Sequence, residues 1–391
     1  MKNKIVILVS CLISVISLKA QVNIYSDFSG GNIIIDKIQN DSVWVRPDLR
    51  DTEGLWFYWY FAAKSDVEKT ITFVFPQNCF SKAGVSVSMD NGHNWQWEHK
   101  EAFQKNNFTY NLKAHKEVRF SMGMPYTQSN WERFISSYKS NPAFKFSYLA
   151  ETKKGRKAEM LTICNPNIVP KFKVLLTARN HACEMMADYV MEGVIETLSK
   201  DNWISQNVEI LCIPFMDKDG VEDGDQGKNR RPRDHNRDYS QISIHETTAA
   251  MRKYIPVWSE NKLRLSIDMH CPWIHSGQND SIFFVGAQDK EAERRQLHFS
   301  ELVKKNNKGE LIYDPASFCN YGSKPWTIPS YPDPGTKCST WALHLKGNHM
   351  AISLEFPFGV HGKQIITANN ARMFGKDVGN AIIDYLKELD N

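Results

Sequence analysis

The chain has 391 residues, of which 42% are hydrophobic and 24% are charged, and its formal net charge is +4 at pH 7. This length exceeds one typical domain, and the composition is that of an ordinary folded protein. Lys2, Lys4 and Lys19 lie in the first 20 residues, which contain no acid, so the rest of the chain carries +4 − 3 = +1. Such a small charge gives no electrostatic case for binding nucleic acid or a membrane surface.

Residues 1–20 have the pattern of a secretion signal. Two lysines precede an apolar stretch at residues 5–18, and Leu18-Lys19-Ala20 provides a small residue for cleavage before Gln21. The apolar stretch is shorter than the roughly 20 residues that a spanning helix needs. A lipoprotein site at Cys11 would leave too little apolar sequence before it. The sequence therefore predicts a periplasmic or secreted protein without a membrane span after cleavage.

Residues 21–123 are predicted to form an all-β domain, an antiparallel sandwich. Short β-branched and aromatic runs at 32–35, 42–46, 56–61, 70–75 and 85–89 alternate with Gly, Asn and Asp, as strands and turns do. The domain concentrates five tryptophans, at positions 44, 56, 59, 95 and 97. They predict either a sandwich core or a sugar- or peptide-binding face, and the core is the favoured interpretation.

Residues 124–391 are predicted to form an α/β domain with a mixed sheet flanked by helices. A helix near residues 131–138, with Ser129 or Asn130 as its N-cap, opens the domain. Apolar strand patterns follow at 144–149, 160–164, 173–177, 208–214, 263–270, 281–285 and 350–356. One helix pattern runs from just after residue 184 to about residue 198. Others lie at 245–258, 291–303 and 368–389. Segment 307–347 has no clear periodicity, and so long a loop is expected to carry function.

His181 and Glu184 lie where the strand at 173–177 gives way to a helix. Open α/β sheets bind ligands at such strand ends. A histidine and a carboxylate suit zinc when a second histidine and a water complete the site. Taken alone, the pattern also fits a capped helix start with a surface histidine.

Three further signals belong to the same domain. His270 stands at the end of the strand at 263–270, before a proline. The polar loop at 217–239 is full of hydrogen-bond donors, and its acids lack the spacing of an EF-hand. Glu355 lies in an apolar strand, where a carboxylate is costly unless it is paired or used, for example as a general base.

Together these residues resemble the zinc carboxypeptidase family, and most nearly its cytosolic-carboxypeptidase-like branch. The corner at 178–184 is similar to the branch motif A-R-x-H-x-x-E, and residues 217–239 are similar to its loop D-G-V…R-D-x-N-R-D-[WY]. The leading β-domain and the junction at 124–129 are similar to its extra N-terminal module. The resemblance spans nearly the whole chain after residue 20.

The resemblance implies one zinc ion per chain and a set of residue roles. His181, Glu184 and His270 would bind the metal, which is a ligand set known from carboxypeptidase A. Glu355 would act as the general base. The remaining roles fall to the polar loop: Asn236 and Arg237 would hold the substrate's terminal carboxylate, and Asp234 would accept the free ring N–H of a zinc ligand.

The chain also departs from the family. The family stabilises the oxyanion with an arginine upstream of the Asn-Arg pair. Here Lys228, Arg230 and Arg231 are the candidates, and Lys228 or Arg230 is preferred. The mobile tyrosine of the digestive members has no identifiable counterpart. Position 183 is Cys where those members have Arg, which puts the substrate clamp in question.

These motifs predict a secreted zinc metallocarboxypeptidase whose substrate is a peptide or protein C-terminus. A peptidoglycan stem-peptide carboxypeptidase and an N-acyl amino-acid deacylase on the same zinc frame remain alternatives. A binding module that has lost catalysis is disfavoured by the intact catalytic pattern. Lys337, in the long irregular segment, is compatible with acidic substrate side chains but does not establish them.

Cysteine usage adds one expectation. Seven cysteines remain after Cys11, and an odd number cannot all pair within one chain. Cys183 and Cys271 adjoin predicted metal ligands and are expected to be free core residues. Cys319 and Cys338 could form a disulfide in an oxidising compartment.

Overall fold

The computed structural model describes residues 22–240, 242–324, 327 and 336–391. The predicted secretion signal and its cleavage point lie outside the described residues. Within the described ranges, no helix combines the length and the apolar character needed to span a bilayer.

The N-terminal region consists of two β-sheets that face each other across an aromatic core. One sheet has the order β1-β4-β9-β6-β7 and is antiparallel, and the other has the order β2-β3-β5-β8. The predicted sandwich is confirmed, with the difference that β3 and β5 run parallel. The elements are β1 Val22–Tyr25, β2 Ile34–Gln39, β3 Ser42–Arg46, β4 Tyr60–Ser65, β5 Lys69–Val74, β6 Val85–Ser88, β7 Gln96–Glu98, helix α1 Ala102–Lys105, β8 Asn107–Leu112 and β9 Glu117–Ser121.

The strand predicted at 56–61 is wrong over most of its length, because β4 begins only at Tyr60. The backbone of Tyr58 pairs with the buried side chain of Gln226 instead of a strand. Tyr58 N donates to Gln226 Oε1 at 2.8 Å, and Gln226 Nε2 donates to Tyr58 O at 2.9 Å. Residues 56–59 therefore form an extended connection against the C-terminal region.

The C-terminal region is the predicted α/β domain. Helix α2 starts after Thr127, not after Ser129 or Asn130, because the Asn130 side chain accepts the Thr127 backbone N–H at 3.1 Å. The elements are α2 Gln128–Ile135, β10 Phe144–Glu151, β11 Lys157–Ile163, β12 Phe172–Ala178, α3 Met186–Lys200, α4 Asn202–Asn207, β13 Val208–Ile213, α5 Lys218–Asp223, α6 Glu246–Ser259, β14 Leu263–His270, β15 Phe283–Val285, α7 Lys290–Asn306, α8 Cys338–Leu343, β16 Met350–Glu355, β17 Val360–His361, β18 Gln364–Ile365 and α9 Ala368–Glu388.

The seven-stranded sheet of this region has the order β10-β11-β13-β12-β14-β16-β15. Its four central strands, β13, β12, β14 and β16, are parallel. Ala178 at the end of β12 pairs with Met269, and His270 at the end of β14 pairs with Glu355. Since the carboxyl ends of parallel strands share one edge, the sheet brings these three strand ends together.

Helices cover both faces of the sheet. Along β12, Val174 and Leu176 pack into the core shared with α3, α7 and α9, whereas Leu175 packs with α6 and α8 on the opposite face. Helices α3 and α9 cross very closely, because a Cβ on Gly193 would lie 2.0 Å from the Arg372 carbonyl oxygen. Only glycine permits this close approach, and the resulting contact between α3 and α9 fixes the position of α3, which follows β12 in the chain.

Cys319 and Cys338 are free in the structure, which therefore lacks the disulfide that the sequence left open. The two side chains lie in different apolar clusters. Cys319 packs with Phe283 and Val285, and Cys338 packs with residues that include Leu175.

Candidate active site

Three side chains from two strand ends converge on one point. The Nδ1 atom of His181 lies 3.0 Å from Glu184 Oε1, and the Nδ1 atom of His270 lies 2.7 Å from Glu184 Oε2. One possible ligand atom from each side chain lies within 4.8 Å of the others. The parallel pairing of β12 and β14 is what places the two histidines side by side.

The corner that carries His181 and Glu184 is held by a buried arginine. Arg179 adopts a left-handed backbone conformation, with φ of 59°, directly after β12. Its guanidinium donates to the Ala182 carbonyl at 2.9 Å and to Asp188 on α3 at 2.7 Å. These bonds fix the turn between strand and helix, and with it the direction of both candidate ligands.

Asp268 lies behind His270 and holds its ring. His270 Nε2 lies 2.6 Å from Asp268 Oδ2, while Asp268 Oδ1 accepts from Thr177 at 2.7 Å and from Asn180 at 2.8 Å. A carboxylate in this place orients a metal-binding imidazole. Asp268 was not predicted as a site residue. The Asp-x-His pattern on β14 could have indicated it, because alternate residues of a strand point to the same face of the sheet.

Asp234 lies beside the other histidine. Its Oδ1 atom is 3.6 Å from His181 Nε2, and its Oδ2 atom accepts the Asn229 backbone N–H at 3.3 Å. Burial alone would raise the pKa of Asp234, but the neighbouring His181 outweighs it and holds that pKa well below its usual range. The structure thus brings Asp234 beside His181, although its Oδ1 atom accepts no hydrogen bond from the described residues.

Glu355 ends β16 next to His270. Its Oε2 atom is buried and has no hydrogen-bond partner among the described residues. Burial raises the pKa of Glu355, and the charge of Glu184 adds to this effect. Buried polar atoms are normally satisfied, so an unsatisfied carboxylate oxygen at a cavity wall marks a place for a water or a substrate group.

Asn236 and Arg237 come from the polar loop, and Asn236 approaches His270 on the side of the ring that faces Asp268. Asn236 Nδ2 lies 3.4 Å from His270 Nε2, and Asn236 Oδ1 accepts the Cys338 backbone N–H at 3.0 Å. The half-buried Arg237 guanidinium donates to the Asn236 carbonyl at 3.1 Å. Within the described part of the chain it forms no ion pair, which leaves its fork open towards the cavity.

Most of these groups border one cavity of about 810 Å³. Its wall includes His181, His270, Glu355, Lys228, Asp234, Asn236, Arg237, Lys337, Trp56 and Trp273. The volume is that of a site for a small ligand or a peptide end. Burial, followed by the nearby Arg237, lowers the pKa of Lys337 to about 8.

Comparisons with known proteins agree with this geometry. Cytosolic carboxypeptidase 2 of Xenopus tropicalis is 25% identical over 230 residues, which cover 53% of this chain and 23% of that protein. A metallo-carboxypeptidase from Burkholderia cenocepacia has the same fold, with a TM-score of 0.73 at 18% identity over 94% of this chain and 99% of that one. A metallo-carboxypeptidase from Pseudomonas aeruginosa, in complex with (2-guanidinoethylmercapto)succinic acid, gives a TM-score of 0.72 at 18% identity over 94% and 100%.

The chain has the fold of these metallo-carboxypeptidases and is similar in sequence to cytosolic carboxypeptidases. No family model matches it, and it spans about a quarter of the length of the Xenopus relative. The resemblance read from the motifs is confirmed.

The residues present fit a zinc ion. Two imidazole nitrogens and one carboxylate form the donor set, and a carboxylate lies next to the second nitrogen of each imidazole. Nitrogen and carboxylate donors with such outer partners are what zinc takes in proteins. His181, Glu184 and His270 thus offer three protein ligands to a zinc ion, and the side of this cluster that faces the cavity stays open.

The three basic candidates for oxyanion stabilisation differ in their distance from the metal cluster and in their ion-pair partners. Lys228 borders the cavity, with its Nζ atom 2.6 Å from Glu184 Oε1 and 3.2 Å from the Cys271 carbonyl. The structure does not bring Arg230 to the metal cluster, because Asp51, Asp217 and Asp225 bind its guanidinium at 3.0, 2.5 and 2.8 Å. Arg231 is exposed and pairs with Glu53 at 2.6 Å.

Proposed function

We propose that this chain is a zinc-dependent carboxypeptidase that hydrolyses the C-terminal peptide bond of peptides or proteins. One observation supports the proposal: the two histidines of a candidate metal triad, the unsatisfied Glu355 carboxylate and the Arg237 fork border one cavity. A carboxypeptidase needs these three elements and needs them together. The relatives with carboxypeptidase in their names support the same activity.

Arg237 selects the end of the chain in this proposal. Its planar fork matches a terminal carboxylate with two parallel hydrogen bonds. A peptide bound there presents its last amide carbonyl to the metal triad. Lys228, which lies 2.6 Å from Glu184, can donate to the carbonyl oxygen as negative charge develops on it.

Glu355 performs the proton transfers. A zinc ion bound by the triad supplies a Lewis acid that activates water and polarises a carbonyl. The Glu355 carboxylate takes the proton of the attacking water and passes it to the departing amine. Its partly enclosed position beside His270 keeps both transfers inside the cavity.

The proposal is tested by comparing free and amidated peptides on two enzymes. Wild type should cleave peptides with a free C-terminus and fail on the amidated forms, because amidation removes the charged partner of Arg237. Arg237→Ala should lose most activity on free peptides. It should also reduce the difference in kcat/KM between free and amidated peptides. Arg46→Ala, which removes an exposed arginine paired with Asp36 on the β-domain, is the matched control and should behave as wild type.

Equal wild-type rates on free and amidated peptides would rule out the carboxypeptidase assignment and leave another zinc amide hydrolase. Muropeptides and N-acyl amino acids belong in the same assay, with and without a chelator. Cleavage of muropeptides alone would assign the peptidoglycan alternative. Cleavage of N-acyl amino acids alone would assign the deacylase alternative.

We also propose that the protein is exported and acts in the periplasm or outside the cell. The basic end, the apolar stretch and the small residue at position 20 support this. Mass spectrometry of the protein from a secreting host should find Gln21 as the first residue. An intact N-terminus on protein that stays with the cytoplasmic fraction would contradict export.

A further inference from the structure

Two tryptophans from different domains form one wall of the cavity, and the chemistry above does not use them. Trp56 precedes β4 in the β-domain, and Trp273 follows the candidate ligand His270 by three residues. Their ring centroids lie 5.0 Å apart with an interplanar angle of 55°. Phe57 packs edge-on against Trp273 at 5.0 Å and supports the pair from behind.

These two rings differ from the other aromatics of the same sequence run. Trp59, three residues after Trp56, is fully buried in the sandwich core and donates to the Cys79 carbonyl at 2.7 Å. Trp56 and Trp273 are only partly buried, and both border the cavity. Both rings also pack against the core, so their place at the cavity wall is what lets them present apolar surface to a substrate.

The Trp56 ring lies near the candidate metal cluster. Lys228 connects them: its Nζ atom is 5.4 Å from the centre of the Trp56 ring and 2.6 Å from Glu184. Arg237 adjoins Asn236, which approaches the cluster at His270 instead. A peptide whose last carboxylate lies on Arg237 can continue past the candidate metal cluster towards Lys228 and the tryptophans, because Arg237, Lys228 and both tryptophans border the same cavity.

We propose that Trp56 and Trp273 bind the side chain of the residue that precedes the scissile bond, and that they favour a planar or apolar one. This inference rests on the proposed carboxypeptidase function. It makes the β-domain part of the substrate site, because Trp56 comes from that domain. The sequence favoured a core role for the β-domain tryptophans over a sugar- or peptide-binding face; Trp59 lies in the core, and this inference gives Trp56 the peptide-binding role.

The expected preference is moderate. Contact between aromatic rings adds about 0.5–1.5 kcal/mol beyond the burial of their surface. Because 1.4 kcal/mol corresponds to tenfold, the ring contact alone raises kcat/KM about two- to tenfold for phenylalanine over alanine at that position.

The test uses two pools of acetylated dipeptides, acetyl-Phe-X and acetyl-Ala-X, in which X is the same equimolar mixture of amino acids. This mixture removes any need to know which terminal side chain the enzyme prefers. Wild type should cleave the phenylalanine pool faster. Trp56→Ala and Trp273→Ala should lower that preference towards equality, and Trp56→Phe should retain part of it.

Trp44→Ala is the matched control. Trp44 is a partly exposed tryptophan on β3 of the same domain, it lies under Lys37 at 5.0 Å, and it does not border the cavity. This variant should keep the wild-type preference. Since Trp56 also contacts Lys228, Trp56→Ala can slow both pools, so the ratio of the two kcat/KM values is the decisive measurement.

The outcomes separate this inference from the proposed function. If wild type cleaves both pools at equal rates, or if Trp56→Ala slows both pools by the same factor, the subsite is overturned and the carboxypeptidase remains. If wild type cleaves neither pool, the carboxypeptidase assignment and the subsite both fall. If Trp273→Ala keeps the wild-type ratio of kcat/KM for the two pools while Trp56→Ala brings that ratio to one, the two tryptophans do not act as a pair.

Discussion

The candidate site is built from two parts that are held in different ways. The edge of the seven-stranded sheet supplies His181, Glu184, His270 and Glu355, which are fixed by the pairing of β12, β14 and β16. The loop at 217–239 supplies Lys228, Asp234, Asn236 and Arg237, and much of its support comes from the β-domain. Asp51 accepts the backbone N–H groups of Gln226 at 3.0 Å and of Gly227 at 2.8 Å.

The comparison separates two tasks. The sheet edge holds the groups that bind metal and move protons, where small displacements are costly. The loop holds the groups that meet the substrate, and its shape depends on contacts that are remote in the sequence. Changes at the sheet edge should therefore abolish chemistry, and changes in the loop or its supports should have smaller effects.

The largest effect is expected from loss of a metal ligand. His270→Ala should abolish stoichiometric zinc binding and all turnover, because two ligands remain of three. Elemental analysis of the purified protein measures the zinc content. His298→Ala, which removes an exposed histidine paired with Glu388 on the surface, should keep one zinc per chain. Full zinc occupancy in His270→Ala would remove His270 from the site.

Glu355→Gln should keep zinc and fold but lose catalysis. The amide has nearly the same shape and cannot accept the proton, and loss of a general base typically costs roughly 10²–10⁴-fold in rate. Single-turnover rates and zinc content should be measured on the same preparation. A wild-type kcat in this variant would assign the base to another residue.

Lys228 and Arg230 sharpen the comparison because they are two residues apart in one loop. Lys228→Met should lower kcat by roughly 10²–10³-fold in correctly folded protein, as loss of one oxyanion donor does. Arg230→Met should instead reduce the free energy of unfolding by about 3–5 kcal/mol, because buried aspartates lose their partner.

Both variants are measured for kcat on correctly folded protein and for denaturant unfolding. The opposite pattern, with an active Lys228→Met and a stable but inactive Arg230→Met, would transfer the oxyanion role to Arg230.

Asp268→Asn should weaken zinc affinity without removing the site. The asparagine keeps the volume, but it cannot hold the His270 ring with a full negative charge, and loss of such an outer carboxylate typically costs roughly 10–100-fold in affinity. Competition with a zinc chelator measures the change. Asp377→Asn, which alters a buried carboxylate that binds the loop at 307–309, is the control. Equal zinc affinities in Asp268→Asn and wild type would assign Asp268 to packing alone.

The same division explains what the sequence could predict. The strand ends with His181, His270 and Glu355 were recognisable because apolar runs stop at a polar side chain and parallel strands share an edge. The choice between Lys228 and Arg230 was not recognisable, since it depends on Asp51 and on Trp56, which lie over 170 residues earlier. Residues 56–59 were assigned to a strand because nothing in their pattern reveals that Gln226 takes up the backbone of Tyr58.

The smallest effect is expected where the β-domain supports the loop. In Asp51→Asn the new amide nitrogen meets a backbone N–H of Gln226 or Gly227, and one such donor loses its acceptor, which typically costs about 1–3 kcal/mol of stability. Because the loop carries Lys228 and Arg237 but not the metal ligands, kcat/KM should fall several-fold while zinc content stays at one per chain. Asp36→Asn, at an exposed β-domain aspartate paired with Arg46, should change neither quantity. A loss of zinc in Asp51→Asn would show that the sheet edge depends on the β-domain as well, and the two parts of the site would then be one mechanical unit.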